Sequence, residues 1–369
     1  MNDTLTLPMT SQPSRTWLLA CSLCLLGSLQ ALTAAESVAK RPRWQVSAGP
    51  SFWFNATLSY SAQPAADPSS AAKADHVYDD GFNKVDSTGN IGDGAGGVLS
   101  SRTGYFSFLS NSQVNLSAGS LSWHQLQAAG DYLNSVKPSQ KPGLALEARL
   151  SLAGPDARHD WGLLIGADSH EMDQKSSGPW SANLRLLTDA YRLGGVIPQN
   201  APYTGHFTPS PGDQRIGDAP TRSISAVSGT ISGTQEFNAR STILFLGPWF
   251  ELNAPDFENA KGEADRWSLL ANAGLAVIDT KADFMLVEKL SVTGLVTSPS
   301  FSNSASGSLS SAGWFAGLKA RRSLSQHWSI IASGDFVHGP KFTLQAAARS
   351  ALLDSSKLLR AYAGLEYRF

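Results

Sequence analysis

Cysteine is almost missing. The chain has two, Cys21 and Cys24, both inside an apolar segment near the start. Once that segment is set aside, no disulfide framework, iron–sulfur site or cysteine nucleophile is available. Charge is also scarce: 16% of residues are Asp, Glu, Lys or Arg, against about 25% in an ordinary soluble domain. The net charge of −1 gives no basic stripe for nucleic acid. Beyond the leading segment, no apolar run approaches the ~20 residues that a spanning helix needs. Metal and nucleotide motifs are missing too. His170-Glu171 continues as Met-Asp rather than towards a second histidine, and Gly92–Gly97 follows no strand and precedes no Lys-Ser/Thr.

The leading segment has three parts. Arg15 supplies a positive residue, Trp17–Leu32 a short apolar core, and Thr33-Ala34-Ala35 a small-residue site. These are the parts of a secretory signal peptide cleaved after Ala35, to be excluded from the fold. Residues 1–35 are therefore read as signal peptide and 36–369 as the mature chain, which then carries no cysteine and expects no cofactor.

What the mature chain has is alternation. In Lys357–Phe369, Leu359, Ala361, Ala363, Leu365, Tyr367 and Phe369 share one parity; Leu358, Arg360, Tyr362, Gly364, Glu366 and Arg368 share the other. A period of two that sorts charge to one side is a strand whose faces meet different media. Pro42–Asn55 alternates likewise, with Pro50 as a fault that implies a bulge, because proline withholds a ladder donor. Leu144–Leu152, the turn Gly154–Arg158 and the run from His159 to Ala167 predict a hairpin. Further strands are expected at 101–108, 113–120, 224–237, 241–252, 267–278, 283–293, around 314–321 and at 328–336, with turns at Asn238–Arg240 and Asp279–Ala282. Long loops are expected at 56–100 and 169–223, with a possible helix over Ser181–Leu193; a gap of the second length is either functional or hides strands.

Counted this way the chain holds about twelve strands, with a range of about ten to fourteen, and long and short connections alternate. Both termini fall on the short-turn side. Trp44, Trp53, Trp249, Trp267, Trp314 and Trp328 fall near strand ends, where a membrane–water boundary favours them.

The final strand, ending Tyr367-Arg368-Phe369, resembles the closing strand of Gram-negative outer-membrane β-barrels. The resemblance is to the general class and carries no site residues of a particular family. It implies an all-β, transmembrane antiparallel barrel in the outer membrane, with membrane lipids as surroundings. Leu365, Tyr367 and Phe369 would be a lipid-facing signal to the barrel assembly machinery.

If the apolar parity faces lipid, Glu147, Arg149, Lys319, Arg321, Asp335, Arg360, Glu366 and Arg368 face the lumen, where charges can pair or meet water. They would tune a passage for small polar solutes or plug it. Asp79, Asp80, Asp86 and Asp93 lie among loop glycines as oxygen ligands for calcium or as an ordinary hydrophilic loop; their spacing is not that of an EF-hand. Ser325, Ser329 and Asp335 near His327 and His338 are the residue types of serine–histidine catalysis, but no glycine-flanked nucleophile accompanies them. The expectation is a passive pore or a structural membrane protein rather than an enzyme. A lipid-modifying enzyme of the outer membrane and a soluble secreted β-rich binding module stand as alternatives.

Overall fold

The computed structural model describes residues 44–63, 75–84, 102–153, 160–205, 214–253, 257–258, 264–265, 267–295 and 297–369. The expected signal peptide, the turn at 154–158, and Asp86 and Asp93 lie outside them.

Eight strands form the framework: β1 (Trp44–Phe54), β2 (Gly143–Ser151), β3 (Asp160–Ser177), β4 (Pro220–Asn253), β5 (Trp267–Ser291), β6 (Ser300–Ser323), β7 (Trp328–His338) and β8 (Leu358–Arg368). Each pairs antiparallel with the next in chain order, and β8 pairs with β1. The pairings thus run through all eight strands and return to their start. That is the up-and-down ring topology, which leaves no free edge where it is complete. Gln45 opposite Arg368 puts the first and last strands together at the end that also carries the β6–β7 turn.

Among the described residues the ring contains eight strands rather than about twelve, because several expected turns are strand interior. β4 keeps its registers with β3 and β5 straight through Asn238–Arg240, and β5 keeps its register with β6 through Asp279–Ala282. Asn238, Arg240, Asp279 and Lys281 sit on the outward parity of long strands without breaking the period. Ser300–Ala312 is likewise strand, not loop: it alternates serine with small and apolar residues, which blurs the pattern. Pro50 makes no bulge. The register on both neighbours is constant along β1, and the ladder to β8 merely passes over Gly49 and Pro50.

Beyond the ring, the described residues of 56–100 and 169–223 include further strands. Thr57–Ala62 pairs with Arg349–Asp354 and with Gly130–Val136, and Lys341–Ala346 pairs with Arg349–Asp354. Trp180–Arg192, where a helix was possible, is a strand between Ser120–Ala128 and the first third of β4. The strands expected at 101–108 and 113–120 do not pair with each other: Tyr105–Phe108 pairs with Gly81–Lys84 and Tyr203–Thr204, and Asn111–Gln113 is a capped 3-10 turn.

The interior divides along the axis. Next to the termini it is charged. Farther along, Trp53, Tyr60, Phe237, Ile243, Phe284, Leu344 and Leu353 belong to one apolar core. A second core, with Phe106, Phe108, Trp123 and Tyr191, fills the distal part.

Candidate functional site: the charged interior of the ring

Side-chain distribution in the ring is inverted relative to a water-soluble barrel. Glu147 is 1% exposed while Leu146 beside it is 39% exposed; Glu366 is fully buried while Leu365 is 54% exposed. Leu144, Trp161, Leu163, Ile165, Leu246, Phe250, Leu269, Leu275, Leu318, Ile330 and Leu359 continue the exposed apolar set on neighbouring strands. Because successive strand residues point to opposite faces, one parity makes an apolar belt and the other a charged interior.

Arg360 on β8 is the hub of that interior. Its Nε donates to Asp168 Oδ2 at 2.5 Å, and its Nη1 donates to Asp335 Oδ2 at 2.6 Å and to Glu147 Oε1 at 3.1 Å. Lys319 on β6 makes a close ion pair with the other oxygen of Glu147. Nearer the termini, Arg149 pairs with Glu366, and Arg321 Nη1 donates to Glu251 Oε2 at 2.9 Å. Arg368 lies 3.4 Å from Glu366 and 3.1 Å from Ser329 Oγ. Four guanidiniums and one ammonium thus face five carboxylates, those of Glu147, Asp168, Glu251, Asp335 and Glu366. Buried charges persist when paired in this way, and removing one partner leaves its mate uncompensated. Aromatic faces add to the packing: Arg360 lies 5.0 Å from the Phe245 centroid and 5.2 Å from that of Tyr362.

The eight interior residues singled out from the sequence all sit on the inward parity, and each takes part in this network. Asp168 and Glu251 were missed. Glu251 lies inside the strand expected at 241–252 and Asp168 one residue beyond the run His159–Ala167; each stands on the parity opposite the exposed Trp161, Leu163 and Ile165 or Phe250 of its own strand, which was the available signal.

Glycine makes room for the network at one point. A Cβ on Gly317 would overlap Asp335 Oδ1 and come within 2.9 Å of Asn272 Oδ1.

At the rim away from the termini stands a cluster that residue spacing does not reveal. Ser51 Oγ donates to Asp168 Oδ1 at 2.6 Å and lies 2.8 Å from His170 Nε2. The imidazole Nε2 is also 3.0 Å from Asp168 Oδ1, while Nδ1 faces the carbonyl of Lys141 at 3.3 Å. A nucleophilic serine needs an imidazole lone pair to accept its proton. Here both ring nitrogens face oxygen acceptors, the serine proton is already directed to Asp168, and Ser51 and His170 are buried. The arrangement orients Asp168 for Arg360. Ser329, His327 and His338, weighed for catalysis, do not meet: Ser329 binds Arg368, His327 Nδ1 faces the carbonyl of Arg368, and His338 Nδ1 faces that of Ser356.

The acidic loop is described only at Asp79 and Asp80. Asp79 Oδ2 accepts the Leu126 N–H at 2.6 Å, while Asp80 accepts the His124 N–H at 2.8 Å and contacts its Nδ1 at 2.6 Å. Both carboxylates tie a turn to a neighbouring strand. Among the described residues, no group of three or more His, Asp or Glu side chains is arranged to hold a metal ion. Outside the ring, Asp189 receives a two-pronged bond from Arg222, at 2.7 and 2.6 Å, and the Tyr78 hydroxyl at 2.7 Å.

No protein-family model matches the chain, and no curated protein is similar to it. Among solved structures, Ail, the attachment invasion locus protein of Yersinia pestis, aligns at 12% identity and TM-score 0.27, over 89% of this chain and 99% of that one. The outer membrane protease OmpT from Escherichia coli aligns at 8% identity and TM-score 0.30, over 90% of this chain and 99% of that one. Similarity at this level says nothing about a site or an activity.

Proposed function

We propose that this chain is an integral β-barrel of a Gram-negative outer membrane whose lumen is plugged. Its role is structural, carrying the strand-rich portion beyond the ring on the membrane surface. One observation carries the proposal: in the ring, apolar side chains are exposed and charged ones buried. In water that arrangement exposes apolar surface on every strand and buries charge; in lipid it is the favourable one. On β1, β5 and β8 the outward apolar positions number six, at 44–54, 267–277 and 359–369, with fewer on β3 and β6; eleven residues at ~3.3 Å each and a ~45° tilt span ~25 Å, an apolar band of membrane thickness.

The paired interior favours the structural role over the pore. Arg360, Lys319 and Arg149 pair across the ring, and an apolar core follows on the axis, so the charged residues bind one another rather than line a water-filled passage. Cell fractionation and heat-modifiable gel mobility test the membrane part, and conductance in a planar bilayer tests the plug. Expected are an outer-membrane fraction, a faster-migrating unheated form and no stepped conductance. Steady single-channel steps would restore the pore; a mature chain that stays in solution without detergent would favour the secreted binding module.

The lipid-modifying reading draws support from Ser51 and His170 alone. Labelling by a fluorophosphonate that is lost in Ser51→Ala would establish it; the donor pattern around His170 favours no labelling.

A further inference from the structure

At the rim beside Ser51 and His170 a groove of about 280 Å³ opens on the outside of the ring. Its apolar wall is Phe52 and Phe54, the last two outward residues of β1, which are 42% and 51% exposed. Lys137, Gln140 and Lys141, on the segment leading into β2, form the opposite wall, and the buried Trp53 lies beneath. The groove is amphipathic: aromatic on the side continuous with the apolar belt, cationic on the side away from it.

The two lysines differ. Lys141 lies 3.6 Å from Glu171 and 3.5 Å from Asp173. Lys137 is exposed and, among the described residues, has no ion-pair partner. Gln140 Oε1 is buried and accepts no hydrogen bond. An acyl chain against Phe52 and Phe54 would continue the lipid contact of the belt, an anion would find Lys137, and a headgroup hydroxyl or amide would find Gln140.

We infer that this groove binds one phosphate-bearing, acylated lipid from the leaflet on the side away from the chain termini. Two observations choose that occupant. The aromatic wall is the upper end of the lipid-facing surface, so whatever fills the groove is in contact with lipid already. A cation at that height meets the headgroup layer, where phosphate is the complementary charge. The inference rests on the membrane reading of the ring.

Native mass spectrometry of the full mature protein in detergent tests it, with dioleoyl phosphatidic acid as probe and dioleoyl phosphatidylcholine as comparison. The wild type is expected to retain one phosphatidic acid molecule in preference to phosphatidylcholine. Lys137→Glu should lower that retention about tenfold, since a basic residue at the headgroup layer is replaced by an acidic one. Phe54→Ala should lower retention of both lipids. Lys289→Glu, an exposed lysine on β5 outside the groove, should change neither. Equal retention of the two lipids, or a Lys137→Glu variant that retains phosphatidic acid as the wild type does, overturns the inference. Heat-modifiable mobility of each variant separates the two claims: a wild type without that shift removes the barrel reading, whereas a shifting variant with unchanged lipid removes the groove alone.

Discussion

His170 reaches Ser51 across the space that Gly143 leaves open: its Nε2 lies 2.8 Å from Ser51 Oγ, and a Cβ on Gly143 would overlap that nitrogen. β1 and β3 are not neighbours; β2 runs between them. A missing side chain on the middle strand therefore lets two strands meet through their side chains. Gly143→Ala should push His170 off Ser51 and Asp168 and crowd the Ser169 carbonyl. Overpacking of this kind costs about 1–3 kcal/mol. The check is the urea midpoint for loss of the fast-migrating gel form. His170→Ala in the same chain should recover only part of the loss, because the clash with the Ser169 carbonyl remains.

Arg360 binds three carboxylates from three other strands, Glu147, Asp168 and Asp335. Arg360→Met keeps bulk and removes the charge, leaving Asp335 with the Ser333 hydroxyl at 3.0 Å as its hydrogen-bond donor among the described residues. Breaking a buried charge cluster from one side costs about 3–5 kcal/mol. Arg360→Lys keeps the charge but not the planar fork, so an intermediate loss is expected. Pairing Arg360→Met with Asp335→Asn should restore part of the stability, by the same urea titration. If Arg360→Met unfolds as the wild type does, the network is not holding the ring.

Much of the ring was legible because alternation records which face meets which medium. β8, β7, the start of β5 and the β2–β3 hairpin show it plainly, with Leu, Trp and Ile opposite Glu, Arg, Lys and Asp. The contrast disappears beyond the belt. In Ser300–Ala312 the outward serines alternate with Ala, Gly, Ser and Leu, and an outside wall facing polar surroundings has no need of apolar residues. There the same polar residues that mark turns elsewhere, Asn238 to Arg240 and Asp279 to Ala282, continue a strand. Long strands were therefore cut in two and the count rose towards twelve. Ser51, Asp168 and His170 could not be joined from spacing either, since only the register of three strands and the absence of a side chain at Gly143 bring them together.

Asp79 sits outside the ring, and burial pushes its carboxyl up to about 6 although its bond from Leu126 N–H acts the other way. A carboxyl raised above its unfolded value of about 4 binds a proton more readily in the folded state. Its ionisation therefore weakens the fold: stability is highest below about pH 4, falls as pH rises towards 6, and levels off above. Local opening of the hairpin formed by His76–Tyr78 and Gly81–Lys84 reports on this. Hydrogen exchange there, corrected for the intrinsic pH dependence, is compared between the wild type and Asp79→Asn, because His76 in the same hairpin, whose imidazole burial holds below its usual value, acts in the opposite sense. The wild type should gain opening free energy relative to Asp79→Asn as pH falls from 7 to 4. A wild type that loses opening free energy relative to Asp79→Asn over that range would show that the Leu126 bond outweighs burial.

Leu318 on β6 is 56% exposed, faces outward next to Ala271 of β5, and lies midway between Trp314 and Arg322 along the belt. An exposed leucine on a water-soluble protein tolerates arginine, and surface changes of that kind stay within about 0.5 kcal/mol. At the midplane of a bilayer the same change costs about 2–4 kcal/mol, because the guanidinium has neither water nor a partner. Lys319 supplies the internal control: one residue away, it is charged yet paired with Glu147 on the inside. Leu318→Arg and Lys319→Met should both destabilise, for opposite reasons. The first cost should shrink in thin or loosely packed detergent, whereas the second should persist there. Urea unfolding of each variant, in phospholipid bilayers and in detergent micelles, separates them. If Leu318→Arg is as stable in bilayers as the wild type, the apolar belt is not in contact with lipid, and the inverted distribution of side chains needs a protein partner to cover it.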